Sequence, residues 1–139
     1  MNTKLRDDRR GRVGQLAEQA VSDYATGQGW HVVARNVHWR EGEIDLIALD
    51  DDTLVFAEVK ALVGRGPDGI PPFSPFDSIT PRKRARIRLL ARRWLTDDLM
   101  KVRQTSDLRF TAIRFDAFAV TVMADDRSIK NIEHAEDAF

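Results

Sequence analysis

The chain has no cysteine among its 139 residues, which excludes a disulfide framework and any cysteine-ligated zinc site. It has no apolar run long enough to span a bilayer and no signal-peptide-like apolar core. A cytoplasmic protein with no membrane partner is the expectation. An excess of either charge is missing too. The 22 lysines and arginines balance 22 aspartates and glutamates, so net charge does not announce a nucleic-acid partner. No phosphate-binding loop, dinucleotide fingerprint or nucleophile elbow occurs. His31, His38 and His134 show no metal-ligand spacing and read as ordinary surface or core residues. The length suits one domain, residues 1–139, with a single core.

The balanced charges are unevenly placed. Residues 41–60 hold seven acids and one base, whereas residues 82–93 hold seven bases and no acid. A basic N-terminal arm, residues 1–10, adds Lys4, Arg6, Arg9 and Arg10 against Asp7 and Asp8. Carboxylates for a metal ion beside cations for a phosphate backbone suit phosphodiester cleavage. Taken alone, a basic run is more often a solvated helix face.

The acidic stretch reads as a hairpin, with β-rich segments on either side of Asp50-Asp51-Asp52. A two-residue turn at Asp51-Asp52 pairs Asp50 with Thr53. Counting back then sets Asp45 opposite Glu58 and Glu43 opposite Lys60. One face carries Glu43, Asp45, Ile47, Leu49, Leu54, Phe56, Glu58 and Lys60; the other, Ile44, Leu46, Ala48, Val55, Ala57 and Val59, is wholly apolar. Such a hairpin is expected to be covered on both sides, its charged end opening into a cleft. Two carboxylates this close ionise together only with a cation between them, and oxygen donors suit Mg²⁺ or Mn²⁺. The competing reading is a cross-strand salt-bridge ladder on a wetted sheet.

Elsewhere the pattern predicts a helix over Arg9–Ala25 with Leu16, Ala17, Ala20, Val21 and Tyr24 inward and Glu18 beside that stripe. Glu18 is placed to lean toward a metal, or is simply a boundary residue. A strand over Trp30–Val37 precedes the hairpin. A Pro- and Gly-rich loop, residues 62–79, follows it, and its Phe73 and Phe76 would clamp substrate or meet a second subunit. Thr80 caps a second helix with Pro81 at its first position; Ile87, Leu90, Ala91, Trp94 and Leu95 face the core. The free N–H groups at this helix start make the Thr80–Lys83 end a phosphate seat. Leu108–Ile113 and Phe115–Val122 are strand-like.

Gly42-Glu43-Ile44-Asp45-Leu46-Ile47 followed by Leu54-Val55-Phe56-Ala57-Glu58-Val59-Lys60 resembles the YraN-like family of small bacterial proteins. So do Gly29-Trp30, Ala34-Arg35-Asn36, Thr80-Pro81-Arg82-Lys83, Arg86-Ile87, Arg114-Phe115-Asp116, Ile132-Glu133-His134 and Ala138-Phe139, in the same order. The chain departs from the family pattern at Ala17, where a glycine is usual, and at Ala61-Leu62, where a small residue and arginine are usual. The resemblance implies the PD-(D/E)XK nuclease superfamily and kinship to archaeal Holliday-junction resolvases. The implied fold is α/β, a single-domain restriction-endonuclease-like αβββαβ core with a mixed sheet flanked by helices.

On that resemblance, Asp45, Glu58 and the Val59 backbone carbonyl hold Mg²⁺ or Mn²⁺, with Glu18 assisting. Lys60 serves the attacking water or the transition state. Lys83, Arg82, Arg84 and Arg86 grip DNA, and Arg65 replaces the missing arginine. A homodimer is a further expectation, since resolvases act as symmetric pairs. The alternatives are a non-catalytic nucleic-acid-binding module of a DNA repair or uptake complex, and a protein-interaction subunit.

Overall fold

The computed structural model describes residues 3–68, 76 and 79–139, with side chains from residue 11 onward. The elements run α1 (Thr3–Gly27), β1 (His31–Trp39), β2 (Gly42–Asp50), β3 (Thr53–Gly64), α2 (Pro81–Asp97), α3 (Leu99–Thr105), β4 (Ala112–Met123) and β5 (Ile129–Ala135). The strands form one mixed sheet in sequence order. Only β3 and β4 are parallel; β1–β2, β2–β3 and β4–β5 are antiparallel. This is the expected α/β architecture. The parallel pair needs a crossover, and the segment carrying α2 and α3 supplies it.

Each face of the sheet has its own core. On one side Ala17, Val21 and Ala25 of α1 pack with Trp30, Leu46, Ala48, Val55, Ala57, Phe118, Val120 and Val122. On the other, Ile87, Leu90, Ala91 and Trp94 of α2 cover Ile44, Ile47, Leu54, Phe56 and Ala117. The Trp94 ring meets Phe56 edge-on at 5.8 Å. Thr80 caps α2 as expected, its hydroxyl accepting from the Lys83 N–H at 3.2 Å.

The hairpin turn is the expected one. Asp50 pairs with Thr53, and Asp51 takes φ +53°, the left-handed conformation favoured at the first central position of a tight hairpin turn. Several boundaries differ from expectation. The first helix starts at Thr3, so the basic arm is its opening turns, and the inward stripe is Ala17–Val21–Ala25, with Leu16 exposed. The third strand runs to Gly64 because twelve consecutive residues pair with β4, which moves the loop start beyond residue 62. Leu108–Ile113 is mostly not a strand: Leu108 is a buried anchor after α3, and pairing begins at Ala112. Phe76 packs against its own chain's core. Phe73, most of the Pro/Gly-rich loop and the side chains of residues 1–10 lie outside the described residues.

The strict alternation expected along β2 also fails. Ile44 packs on the α2 side with Ile47, whereas Leu46 and Ala48 lie on the α1 side. Its neighbour β1 changes faces at the same level, with Asn36 at φ +50°. The pairs Arg35–Leu46 and Val37–Ile44 bracket this step, and the residues inside it are Asn36 and Asp45.

Candidate active site

Asp45 sits where two strands part. The β2–β3 ladder ends at Leu46–Ala57, one pair short of Asp45–Glu58. Beyond it the Asp45 carboxylate takes over, with the Val59 N–H donating to Oδ2 at 2.8 Å. The expected register is kept, with a side chain replacing the next backbone link. The side chain is 7 % exposed. Burial pushes its carboxyl up to about 7, against the pull of the Val59 N–H, and nearby Glu43, Glu18 and Glu58 add to the rise.

Glu18 reaches this end of the sheet from α1. Burial raises its pKa, a hydrogen bond with Asn36 opposes the rise, and Glu43 reinforces it. Glu58 and Lys60 share the α2-facing side of β3, as alternation requires, and with Lys83, Phe76 and Ile79 they line a small void. Lys60 is exposed. The expected Glu43–Lys60 pairing is not made, because the ladder has already ended. Glu43 instead meets His38 across β1, at 3.1 Å from Nδ1.

A cleft of about 450 Å³ opens from Glu58 and Glu43. The end of β1 and the turn (His38, Trp39, Arg40, Glu41, Gly42) form one wall, and Lys83, Arg86, Ile87 and Leu90 of α2 form the other. Lys83 and Arg86 thus lie where a phosphate grip was expected. Arg82 and Arg84 are exposed on other faces of the helix. Arg65 does not join the cleft; it borders a separate groove beside Val13, Val63 and Arg127, because β3 carries it past the site. Glu43, His38 and Trp39 were not assigned to the site from sequence, although Glu43 was placed on the charged face of the hairpin. Glu43 did carry a signal, an acid two positions before Asp45.

Among the described residues no three His, Cys, Asp or Glu side chains are grouped to hold a metal ion. The donor chemistry nevertheless suits a hard divalent cation. Asp45 is a buried oxygen donor among three acids, and Glu58 is a second donor beside it. The Val59 carbonyl, water and a substrate phosphate are the remaining donors available to such an ion.

Residues 17–120 match the family described as Uncharacterised protein family UPF0102. The chain belongs to UPF0102. It is 36 % identical over 129 residues to a UPF0102 protein of Acidothermus cellulolyticus, covering 91 % of this chain and 92 % of that one. A UPF0102 protein of Rhodococcus jostii is 39 % identical over 127 residues, covering 91 % and 95 %. The UPF0102 match spans Glu18, Asp45, Glu58, Lys60 and Lys83, so the candidate site lies within the family's shared segment.

Proposed function

We propose that this UPF0102 protein is a divalent-metal-dependent endonuclease of the PD-(D/E)XK superfamily that hydrolyses DNA phosphodiester bonds, with branched or junction DNA as one candidate substrate. The observation that carries the reading is the buried Asp45 carboxyl. It is held by the Val59 N–H, surrounded by Glu18, Glu43 and Glu58, and set beside a cleft with Lys83 and Arg86 on its wall. A structural carboxylate at 7 % exposure would be expected beside a cation of its own protein. Asp45 makes no ion pair among the described residues, and three acids lie near it. This arrangement suits a cation brought from outside.

Asp45, Glu58 and the Val59 carbonyl would hold Mg²⁺ or Mn²⁺, with Glu18 assisting directly or through water. When bound, the ion supplies a more acidic water and offsets charge on the phosphate. The Lys60 ammonium stabilises the charge that develops on the phosphate oxygens or orients the attacking water. Lys83 and Arg86 fix the strand so that the scissile phosphate meets Glu58.

The test is cleavage of labelled branched and linear DNA in Mg²⁺ or Mn²⁺ by the parent, D45A, E58A and K60A. Each substitution is expected to lower cleavage at least a hundredfold while binding changes little. A D45A protein that cuts as well as the parent would remove Asp45 from the mechanism. That no three acids among the described residues are grouped closely enough to hold an ion favours the second reading, a non-catalytic nucleic-acid-binding module on this fold. Binding indifferent to EDTA, with no cleavage of any substrate, selects it.

A further inference from the structure

The cleft beside Glu58 is bounded on its outer side by the turn between β1 and β2. Arg40 and Glu41, the turn between β1 and β2, fold back onto α2, where Arg93 grips the Glu41 carboxylate through both terminal nitrogens at 2.5 and 3.1 Å. Gly42 presses against the same helix, and a Cβ there would lie 3.2 Å from Arg86 Cδ and 3.3 Å from Leu90 Cδ1. Sheet, helix and bridged turn therefore wall the space on three sides. Its volume of about 450 Å³ lies in the ~300–1,000 Å³ range of pockets that enclose a small molecule.

The lining matches one kind of guest. Arg40, Lys83 and Arg86 make no ion pair among the described residues, although acids stand nearby; Glu41 is taken by Arg93 and Glu43 by His38. Trp39 is half-buried and lines the same wall. Cations for flanking phosphates and an aromatic side chain for a base are how proteins take hold of a single strand. The Glu41–Arg93 bridge ties the two walls together, which favours one strand over a base pair with both its backbones.

We propose that this cleft seats one unpaired nucleotide of a single strand, with its base against Trp39 and its phosphates on Arg40, Lys83 and Arg86. Unpaired strands, flaps and ends then become the substrate class, in preference to continuous duplex. This rests on the nuclease reading for its biological use, but the binding it requires does not depend on cleavage.

Binding is measured in EDTA by fluorescence anisotropy, with a labelled DNA oligonucleotide single-stranded and as its duplex, and with the RNA of the same sequence. The parent is expected to hold the single strand at least tenfold tighter than the duplex. W39A should lose about 5- to 100-fold of that affinity, while W39F keeps most of it. Tryptophan quenching by the oligonucleotide should fall sharply in W39F, a readout that survives even if W39A does not fold. E41A, which frees the turn, should raise duplex binding. Preference for RNA over DNA would keep the pocket and change the source of the strand. Duplex bound as tightly as single strand, or quenching unchanged in W39F, overturns the proposal. A parent with the preference that never cuts in Mg²⁺ overturns the nuclease reading alone; one that cuts duplex as fast as single strand overturns this inference alone.

Discussion

Asp45 receives one backbone N–H and faces three acids, so its charge is unwelcome in the folded protein. Its pKa rises from 3.8 to about 7 on folding, so the native state binds the proton more tightly than the unfolded chain does. The resulting stabilisation is complete below the unfolded value and is lost as pH rises through about 7. Above that, the ionised carboxylate costs the metal-free protein on the order of 2–4 kcal/mol. The D45N protein should therefore be more stable than the parent at pH 8.5, by roughly 1–3 kcal/mol in urea unfolding, with the advantage shrinking toward pH 5. Equal stability at pH 8.5 would mean that Asp45 is not strained by burial. The same sign governs the ion: protons compete with it, so Mn²⁺ affinity measured by calorimetry should climb between pH 6 and 7.5 and then level off.

At the scale of elements, two fastenings position the site. The first is the β1–β2 turn on α2. G42A forces a Cβ against Arg86 and Leu90 at a backbone φ of +153°, and should cost roughly 1–3 kcal/mol in thermal unfolding. The second lies on the α1 side, where fully buried Asp116 accepts from Arg114 Nε and Nη2 at 2.8 and 2.9 Å and from the Asp137 N–H at 3.0 Å, with His134 Nε2 at 2.7 Å. His134 stacks on Phe118 at 4.2 Å, and Arg114 also reaches Asp50 at the hairpin tip. This network binds β4, β5 and the chain end to the hairpin. D116A leaves Arg114 without its main partner and should destabilise by about 3–5 kcal/mol. A loss below 1 kcal/mol would show the network to be dispensable.

The contrast between these fastenings and the hairpin shows what a sequence reading reaches. The Leu46–Ala57 register was legible because turn length and alternation both act over neighbouring residues. Thr80 and Pro81 marked the α2 start for the same reason. The change of faces at Asn36 and Ile44 was not legible, since a left-handed asparagine inside a β-rich run is imposed by packing from two sides. His38 was read as ordinary because its partner Glu43 becomes its neighbour only when β1 pairs with β2. Asp116 and His134, eighteen positions apart, depend on the β4–β5 ladder in the same way.

For the molecule as a whole, zero net charge conceals an uneven arrangement, with acids at both ends of the hairpin and bases along α2. Nucleic-acid affinity should then depend on salt despite the neutral total. If Arg40, Lys83 and Arg86 each displace a counterion, log affinity for a single strand should fall against log salt with a slope of about −2. A slope near zero would mean that the cleft cations do not touch phosphate.

The long β3–β4 ladder has a consequence for how this molecule comes into being. Every residue of β3 pairs with one 59 positions later, from Thr53 with Ala112 to Gly64 with Met123. Closing so long a stretch of chain loses entropy before any contact compensates, which makes such topologies slow to form. On the ribosome the hairpin with Asp45, Glu58 and Lys60 emerges early, and the bases of α2 follow. Their strand finds its second neighbour only after β4 has been made. A nascent chain can thus carry every proposed catalytic side chain while the scaffold that aligns them is still unsynthesised, so any cutting power would be acquired at the last step of folding.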